Sequence, residues 1–215
     1  MHKTSSQHPL SSAAVAPEQR VSPCGNGTVT GVILAGGQGA RMGGRDKGLI
    51  EYKGRPLVEH QLELLRPQVG ALMISANRNL DRYAVYGVPV VSDATPDFRG
   101  PLAGMLAALR AARTPWVVCV ACDTLGLPGT LVECLLDSAK EENSSAAYVA
   151  DASGAQYTVC ALHTTLADPL DDALRHGRRA VREFLGAQRA ARSLLAGTQL
   201  HNLNSLLPAT ETPSC

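Results

Sequence analysis

From Val29 onward the chain alternates short apolar runs with longer segments whose leucines recur at helical spacing. Val29–Leu34 reads as a first strand. Pro56 then opens a helix in which Leu57, Leu62, Leu64 and Leu65 lead to Val69, and Gly70 closes it as a glycine just past a helix end. Strands follow at 71–76 and 88–91, and a helix spans 102–110 after the Gly100-Pro101 break. Trp116–Ala121 is a continuous apolar run rich in valine, the pattern of a central strand buried on both faces. Another helix begins at Pro128 and reaches about Lys140. Segments 146–150 and 157–162 pair as strands around the turn Asp151-Ala152-Ser153-Gly154, giving a small hairpin lobe. Segments 165–175 and 178–190 read as helices split at His176-Gly177. Strand and helix patterns in alternation predict βαβ units, hence an α/β fold with a mostly parallel central sheet.

Three segments follow from the same pattern. Residues 1–27, rich in Ser, Pro, Ala and Gln and without hydrophobic periodicity or a long apolar signal core, read as a disordered extension. Residues 28–207 form the domain, and 208–215 read as a frayed tail. The 215 residues, 45% of them hydrophobic, suffice for one sizeable core. With 20 Lys and Arg against 19 Asp and Glu there is no overall field to hold nucleic acid or an anionic membrane. Any anionic substrate must be gripped locally. The longest apolar runs are strand-length, far short of a membrane span, and a cytoplasmic location follows. Cys119, Cys134 and Cys160 sit in apolar contexts and read as reduced thiols. The C-x-x-C spacing of Cys119 and Cys122 lacks the second pair or histidine set that a zinc site needs.

Chemistry concentrates behind the first strand. The stretch Leu34-Ala35-Gly36-Gly37-Gln38-Gly39-Ala40-Arg41-Met42-Gly43-Gly44-Arg45-Asp46-Lys47-Gly48 holds six glycines and three cations. Glycines let backbone N–H groups approach an anion that a Cβ would hold off. A P-loop requires Ser or Thr after its lysine, whereas Lys47 is followed by Gly48; a dinucleotide fingerprint fits only with the wrong spacing. A glycine-rich surface turn with solvated cations is the plain alternative.

In an open α/β sheet, ligands bind beyond the carboxyl ends of the strands. Those positions hold Gly36-Gly37, Asn77-Arg78, Asp93 and Cys122-Asp123. A carboxylate directly after a buried strand needs a cation or hydrogen-bond donors to stay ionised, which makes Asp123 a candidate ligand for a metal shared with substrate phosphates. Both Asp123 and Asp93 could instead cap local turns.

The motif L-A-G-G-x-x-x-R-M-G-x-x-x-K over 34–47, with Asp46-Lys47-Gly48, resembles the opening loop of the molybdenum cofactor guanylyltransferase family. The resemblance runs from about Thr30 to Ser205. Lys47 matches the family's loop lysine, Asp93 its nucleotide-contacting aspartate and Asp123 its magnesium aspartate. Gly100-Pro101-Leu102-Ala103-Gly104 matches the G-P-L-A-G motif. Gly177-Arg178-Arg179-Ala180-Val181 is similar to a basic G-x-R-R-V segment, and Asn202-Leu203-Asn204-Ser205 to a closing N-x-N-T. The chain departs from the pattern at Ser75, where the family commonly has Asn, and at Ser205-Leu206 in place of Thr-Pro.

What the resemblance implies is a three-layer, Rossmann-like nucleotidyltransferase fold. The implied reaction is transfer of GMP from GTP to the terminal phosphate of molybdopterin, with or without its molybdenum, releasing pyrophosphate. Arg41, Lys47 and Asp123 are the implied catalytic set, and Asp123 the ligand of Mg2+. The nucleotide would lie on Leu34, Ala35, Gly36, Gly37, Lys47, Ser75, Asp93 and Asp123. The acceptor would lie on Gly100, Gly104, Arg178, Arg179, Asn202 and Asn204. Proteins of cofactor synthesis and molybdoenzyme maturation are the implied partners. Two other readings remain: a transferase with another base or acceptor, such as a molybdopterin cytidylyltransferase or a sugar-phosphate nucleotidyltransferase, and a non-catalytic nucleotide-binding adaptor. Transferases of the first kind tend to begin L-A-A-G, and binding alone does not need a metal carboxylate.

Overall fold

The structure, a computed structural model, describes residues 26–36, 46–93, 100–195 and 197–202. Of the expected site residues, Gly37, Arg41 and Asn204 lie outside the described residues, as do most of the 1–27 extension and the whole of the 208–215 tail.

The strands in chain order are β1 (Val29–Leu34), β2 (Glu51–Tyr52), β3 (Arg55–Pro56), β4 (Ala71–Ser75), β5 (Val90–Val91), β6 (Trp116–Ala121), β7 (Thr124–Leu125), β8 (Ala146–Asp151), β9 (Gly154–His163), β10 (Ala191–Leu194) and β11 (His201–Asn202). The helices are α1 (Leu57–Leu65), α2 (Leu80–Ala84), α3 (Pro101–Ala111), α4 (Leu131–Glu141), α5 (Ala167–Arg175) and α6 (Val181–Ala187). Seven strands form one sheet in the order β10-β8-β9-β6-β1-β4-β5. Within it β1 pairs in parallel with β4 and β6, β4 with β5, and β10 with β8, while β9 runs against both β6 and β8.

Period-two alternation distributes the strand side chains to two cores. Ile33, Val118 and Val120 join Val58, Leu62 and Leu65 of α1 and Leu131 and Leu135 of α4 on one face. Val32, Val117 and Cys119 join Met105 of α3, Leu170 of α5 and Phe184 of α6 on the other. The result is helix, sheet, helix, the three-layer arrangement expected, and β1 and β6 at its centre are buried on both faces. The same alternation settles the C-x-x-C pair. Cys119 and Cys122 are an odd number of positions apart and fall into opposite cores, so they cannot share a metal; both thiols are free.

Several expectations are corrected. The strands at 146–162 do form a hairpin, turned by Asp151, whose Oδ1 accepts from the backbone N–H groups of Ser153 and Gly154 at 2.9 and 3.1 Å. It is not a separate lobe: β9 docks on β6 and β8 carries the edge strand β10, so the hairpin extends the main sheet. Ala191–Leu194 was invisible as a strand because four residues, one of them arginine, show too little alternation. The helix expected over 178–190 begins only at Val181: Gly177 takes a positive φ of 75°, its N–H and that of Arg178 bond back to Leu174 and Ala173, and Arg178 to Ala180 run on outside any helix. Likewise α4 starts at Leu131 rather than Pro128, after a turn closed by Leu131 N–H to the Pro128 carbonyl at 3.1 Å.

Candidate active site

The parallel strands deliver their carboxyl ends to one edge of the sheet, where a cavity of about 290 Å³ opens. Leu34, Ala35 and Gly36 line it from the end of β1, Ala121, Cys122 and Asp123 from the end of β6. Lys47 and Asn202 also line it, with Pro101, the first residue of α3, which brings a helix N-terminus to the cavity.

Lys47 and Asp123, 76 positions apart, meet there: Lys47 Nζ donates to Asp123 Oδ2 at 2.7 Å, both side chains partly buried at 26% and 14% exposure. The turn bearing Asp123 is pinned from beneath. Gln61 of α1, buried, donates from Nε2 to the Thr124 carbonyl at 2.7 Å, and Cys122 N–H bonds to the Leu34 carbonyl at 3.2 Å. Burial, and then the charge of adjacent Asp123, pushes the Cys122 thiol up to about 12. It is therefore neutral near pH 7 and supplies no nucleophile.

Asn202 reaches the cavity because β11 pairs with β7, setting Asn202 opposite Thr124, whose Oγ1 donates to Asn202 Oδ1 at 3.4 Å. Asn202, expected on the acceptor, is thereby brought to the cavity wall beside the Cys-Asp turn. Asp93 stands at the end of β5 in a reciprocal pair with Asn77: Asn77 Nδ2 donates to Asp93 Oδ2 at 2.8 Å and Asp93 N–H to Asn77 Oδ1 at 2.9 Å. Burial raises the Asp93 carboxyl above its ordinary range, against the opposing effect of the Asn77 amide. Asn77 in turn lies beside Gly36.

Other expected residues are placed apart from the cavity wall. Ser75 is 3% exposed and packs against Gly104, where a Cβ would overlap its hydroxyl. Glycine at 104 therefore serves the close approach of α3 to the end of β4. Gly100, at φ 120°, makes the turn into α3 in a region that side chains disfavour. Arg178 and Arg179 are exposed on the connection between α5 and α6 and do not line the cavity.

Thr158 lines the cavity and was not foreseen. β9 pairs with β6 as far as Cys160 opposite Cys119, and its pairing with β8 jumps from Cys160 to Gln156. Thr158 lies in the skipped stretch, where β9 splays from β6 and opens space beside Ala121. A rule that inspects only residues after strand ends misses it.

No group of three or more His, Cys, Asp or Glu suited to a metal is present among the described residues. A single partly exposed carboxylate beside an anion-sized cavity nevertheless suits a hard cation that takes its remaining ligands from substrate phosphates and water. No helix among the described residues is long and apolar enough to cross a membrane.

Gly36 at the end of β1, a lysine and a carboxylate thus line one cavity at the carboxyl edge of a mostly parallel sheet, an arrangement that suits a phosphate-bearing ligand. Comparison with known proteins gives the family. The model of the MobA-like NTP transferase domain matches residues 31–193. A molybdenum cofactor guanylyltransferase of Serratia proteamaculans is 50% identical over 179 residues, 82% of this chain and 90% of its own length. Among solved structures, the molybdopterin-guanine dinucleotide biosynthesis protein A of Archaeoglobus fulgidus superposes with a TM-score of 0.63 at 20% identity, covering 77% of this chain and 83% of its own. A Mycobacterium tuberculosis protein solved in complex with manganese superposes at 0.58 and 17% identity, over 78% and 87%. The chain belongs to the MobA-like NTP transferase family and, within it, to the molybdenum cofactor guanylyltransferases.

Proposed function

We propose that the protein transfers GMP from Mg2+-bound GTP to the terminal phosphate of molybdopterin, or of its molybdenum-loaded form. In that reaction a phosphate oxygen of the acceptor attacks the α-phosphorus of GTP. The bond from that phosphorus to the β-phosphate oxygen breaks, and pyrophosphate leaves. The acceptor phosphate is already ionised near neutrality, so no general base is required and the task reduces to positioning and charge neutralisation.

The observation that carries this reading is the meeting of Lys47 and Asp123 in the cavity. Lys47 offsets charge on the triphosphate, and the N-terminus of α3 at Pro101 adds a favourable dipole. Asp123 would hold the magnesium ion, which supplies neutralisation of the phosphate oxygens. Leu34, Ala35, Gly36 and Gly37 cradle the nucleotide, and Arg41 adds a second cation. Asp93, oriented by Asn77, faces the nucleotide, with Ser75 beneath it. The acceptor lies toward Gly100, Gly104, Asn202 and Asn204, and its phosphate is drawn by Arg178 and Arg179. The free, buried thiols suit a reducing cytoplasm, where proteins of cofactor synthesis and molybdoenzyme maturation would supply the acceptor and collect the product.

Pyrophosphate release, measured with molybdopterin, magnesium and GTP and then with CTP as competitor, tests this reading. Turnover with GTP that CTP barely inhibits is expected. Preference for CTP would reassign the base, and binding of GTP and molybdopterin without pyrophosphate would favour the adaptor.

A further inference from the structure

Asp46, the neighbour of Lys47, is turned into the protein and is 8% exposed. A carboxylate so placed needs donors. They come from the segment that follows β4: the Tyr83 hydroxyl donates to Asp46 Oδ1 at 2.6 Å, Asn79 Nδ2 donates to Oδ2 at 2.8 Å, and Arg78 Nε stands 3.6 Å from the same oxygen.

Three features of the sequence serve this one contact. Tyr83 is wholly buried, and burial together with its bond to Asp46 raises its phenol far above the ordinary range, so it remains a donor at any working pH. Asn79 adopts the left-handed conformation at φ 50°, which asparagine tolerates better than most residues. Gly48 has no room for a side chain, because a Cβ there would overlap the Tyr83 hydroxyl. Behind Asp46 the chain closes a tight turn, with Leu49 N–H on the Asp46 carbonyl at 3.1 Å. Lys47 is therefore flanked by an anchored carboxylate and a glycine fitted against the same tyrosine, and its own side chain goes the other way, to Asp123 at 2.7 Å.

We propose that Asp46 and Tyr83 are positioning residues: they fix the backbone that carries Lys47 and so hold its ammonium at Asp123 and the bound triphosphate. The inference rests on the nucleotidyl-transfer reading of the cavity. A lysine ammonium on a flexible four-carbon stem has many alternatives in water, and anchoring its backbone on both sides removes most of them.

Tyr83→Phe deletes the hydroxyl and keeps the ring in the core. Asp46→Asn keeps the shape but sets an amide donor against the donors of Asn79 or Tyr83. For both, two quantities are read: the rate at which an amine-acylating reagent modifies Lys47 without nucleotide, followed by mass spectrometry, and kcat with KM for GTP. Modification of Lys47 should accelerate in both variants. kcat should fall between about tenfold and about 100-fold, the range that a misplacement of about 1 Å produces, with KM less affected. Tyr86→Phe, whose hydroxyl serves Glu59 at 3.2 Å outside the site, should match the unsubstituted protein in both readouts. A lower melting temperature for Tyr83→Phe with unchanged Lys47 modification and kcat would make the network merely structural and overturn the proposal. If Asp46→Asn fails to fold, Tyr83→Phe carries the test alone. Because Lys47 modification is read without substrate, its acceleration in a protein that releases no pyrophosphate from GTP would keep the positioning role and remove the substrate assignment.

Discussion

On the side of the cavity assigned to the nucleotide, β1, β4, β5 and β6 end in groups that hold one another. Lys47 is set on Asp123, Asn77 on Asp93, Gln61 on the Thr124 carbonyl, and Asp46 on Tyr83 and Asn79. The side assigned to the acceptor phosphate rests instead on Arg178 and Arg179, exposed on the connection between α5 and α6. The described groups of the first side already hold one another in the protein without substrate. The second must surrender the rotamer freedom of two arginines, up to about 2 kcal/mol each, when the acceptor binds. Substitutions on the two sides should accordingly differ in kind, the first lowering kcat and the second raising the acceptor KM.

The largest effect is expected at Asp123. Asp123→Asn removes the charge that faces Lys47 and the proposed metal; the protein should fold, and kcat should drop on the order of 10³-fold in the pyrophosphate assay. Unchanged turnover would take Asp123 out of the site.

A smaller effect tests how firmly α3, which carries the acceptor-side Gly104, is set on the nucleotide-side end of β4. In Gly104→Ala the new methyl meets the Ser75 hydroxyl, and overpacking of that kind costs about 1–3 kcal/mol, partly offset by the better helix propensity of alanine. Urea unfolding should show a net loss of about 1–2 kcal/mol at unchanged m-value. No loss would mean that α3 can slide away from β4 freely.

The smallest effect belongs to the acceptor side. Replacing Arg178 and Arg179 together by Ala should raise the acceptor KM by about three- to tenfold, leave kcat near its original value, and flatten the salt dependence of kcat/KM, as expected of solvent-exposed charges. A collapse of kcat in this variant would break the comparison, because it would put the arginines among the ordered catalytic groups.

Most of the sheet was legible in the sequence. Val29–Leu34 and Trp116–Ala121 are buried on both faces, and their apolar runs announce it. The strand-end rule pointed to Gly36 and Asp123, which line the cavity, and to Asp93, which stands past β5 without lining it. Three things were not legible, for separate physical reasons. The short edge strand Ala191–Leu194 exists because it pairs with β8, not because its residues demand it. Thr158 enters the cavity through an irregularity in the pairing of β9, which leaves no mark in hydrophobic alternation. The service of Asp46 by Tyr83 and Asn79 joins residues 37 and 33 positions apart, and only the parallel pairing of β1 and β4 brings them together. Ser75 illustrates the converse: its departure from the family pattern was visible, but its burial against Gly104 was not.

The most direct measurement is the competition between GTP and CTP for the magnesium-loaded cavity in the presence of molybdopterin. The account predicts pyrophosphate release with GTP, little inhibition by equimolar CTP, and a product whose mass equals molybdopterin plus GMP with loss of water. Preferential use of CTP, or tight binding of GTP and molybdopterin with no pyrophosphate formed, would contradict it.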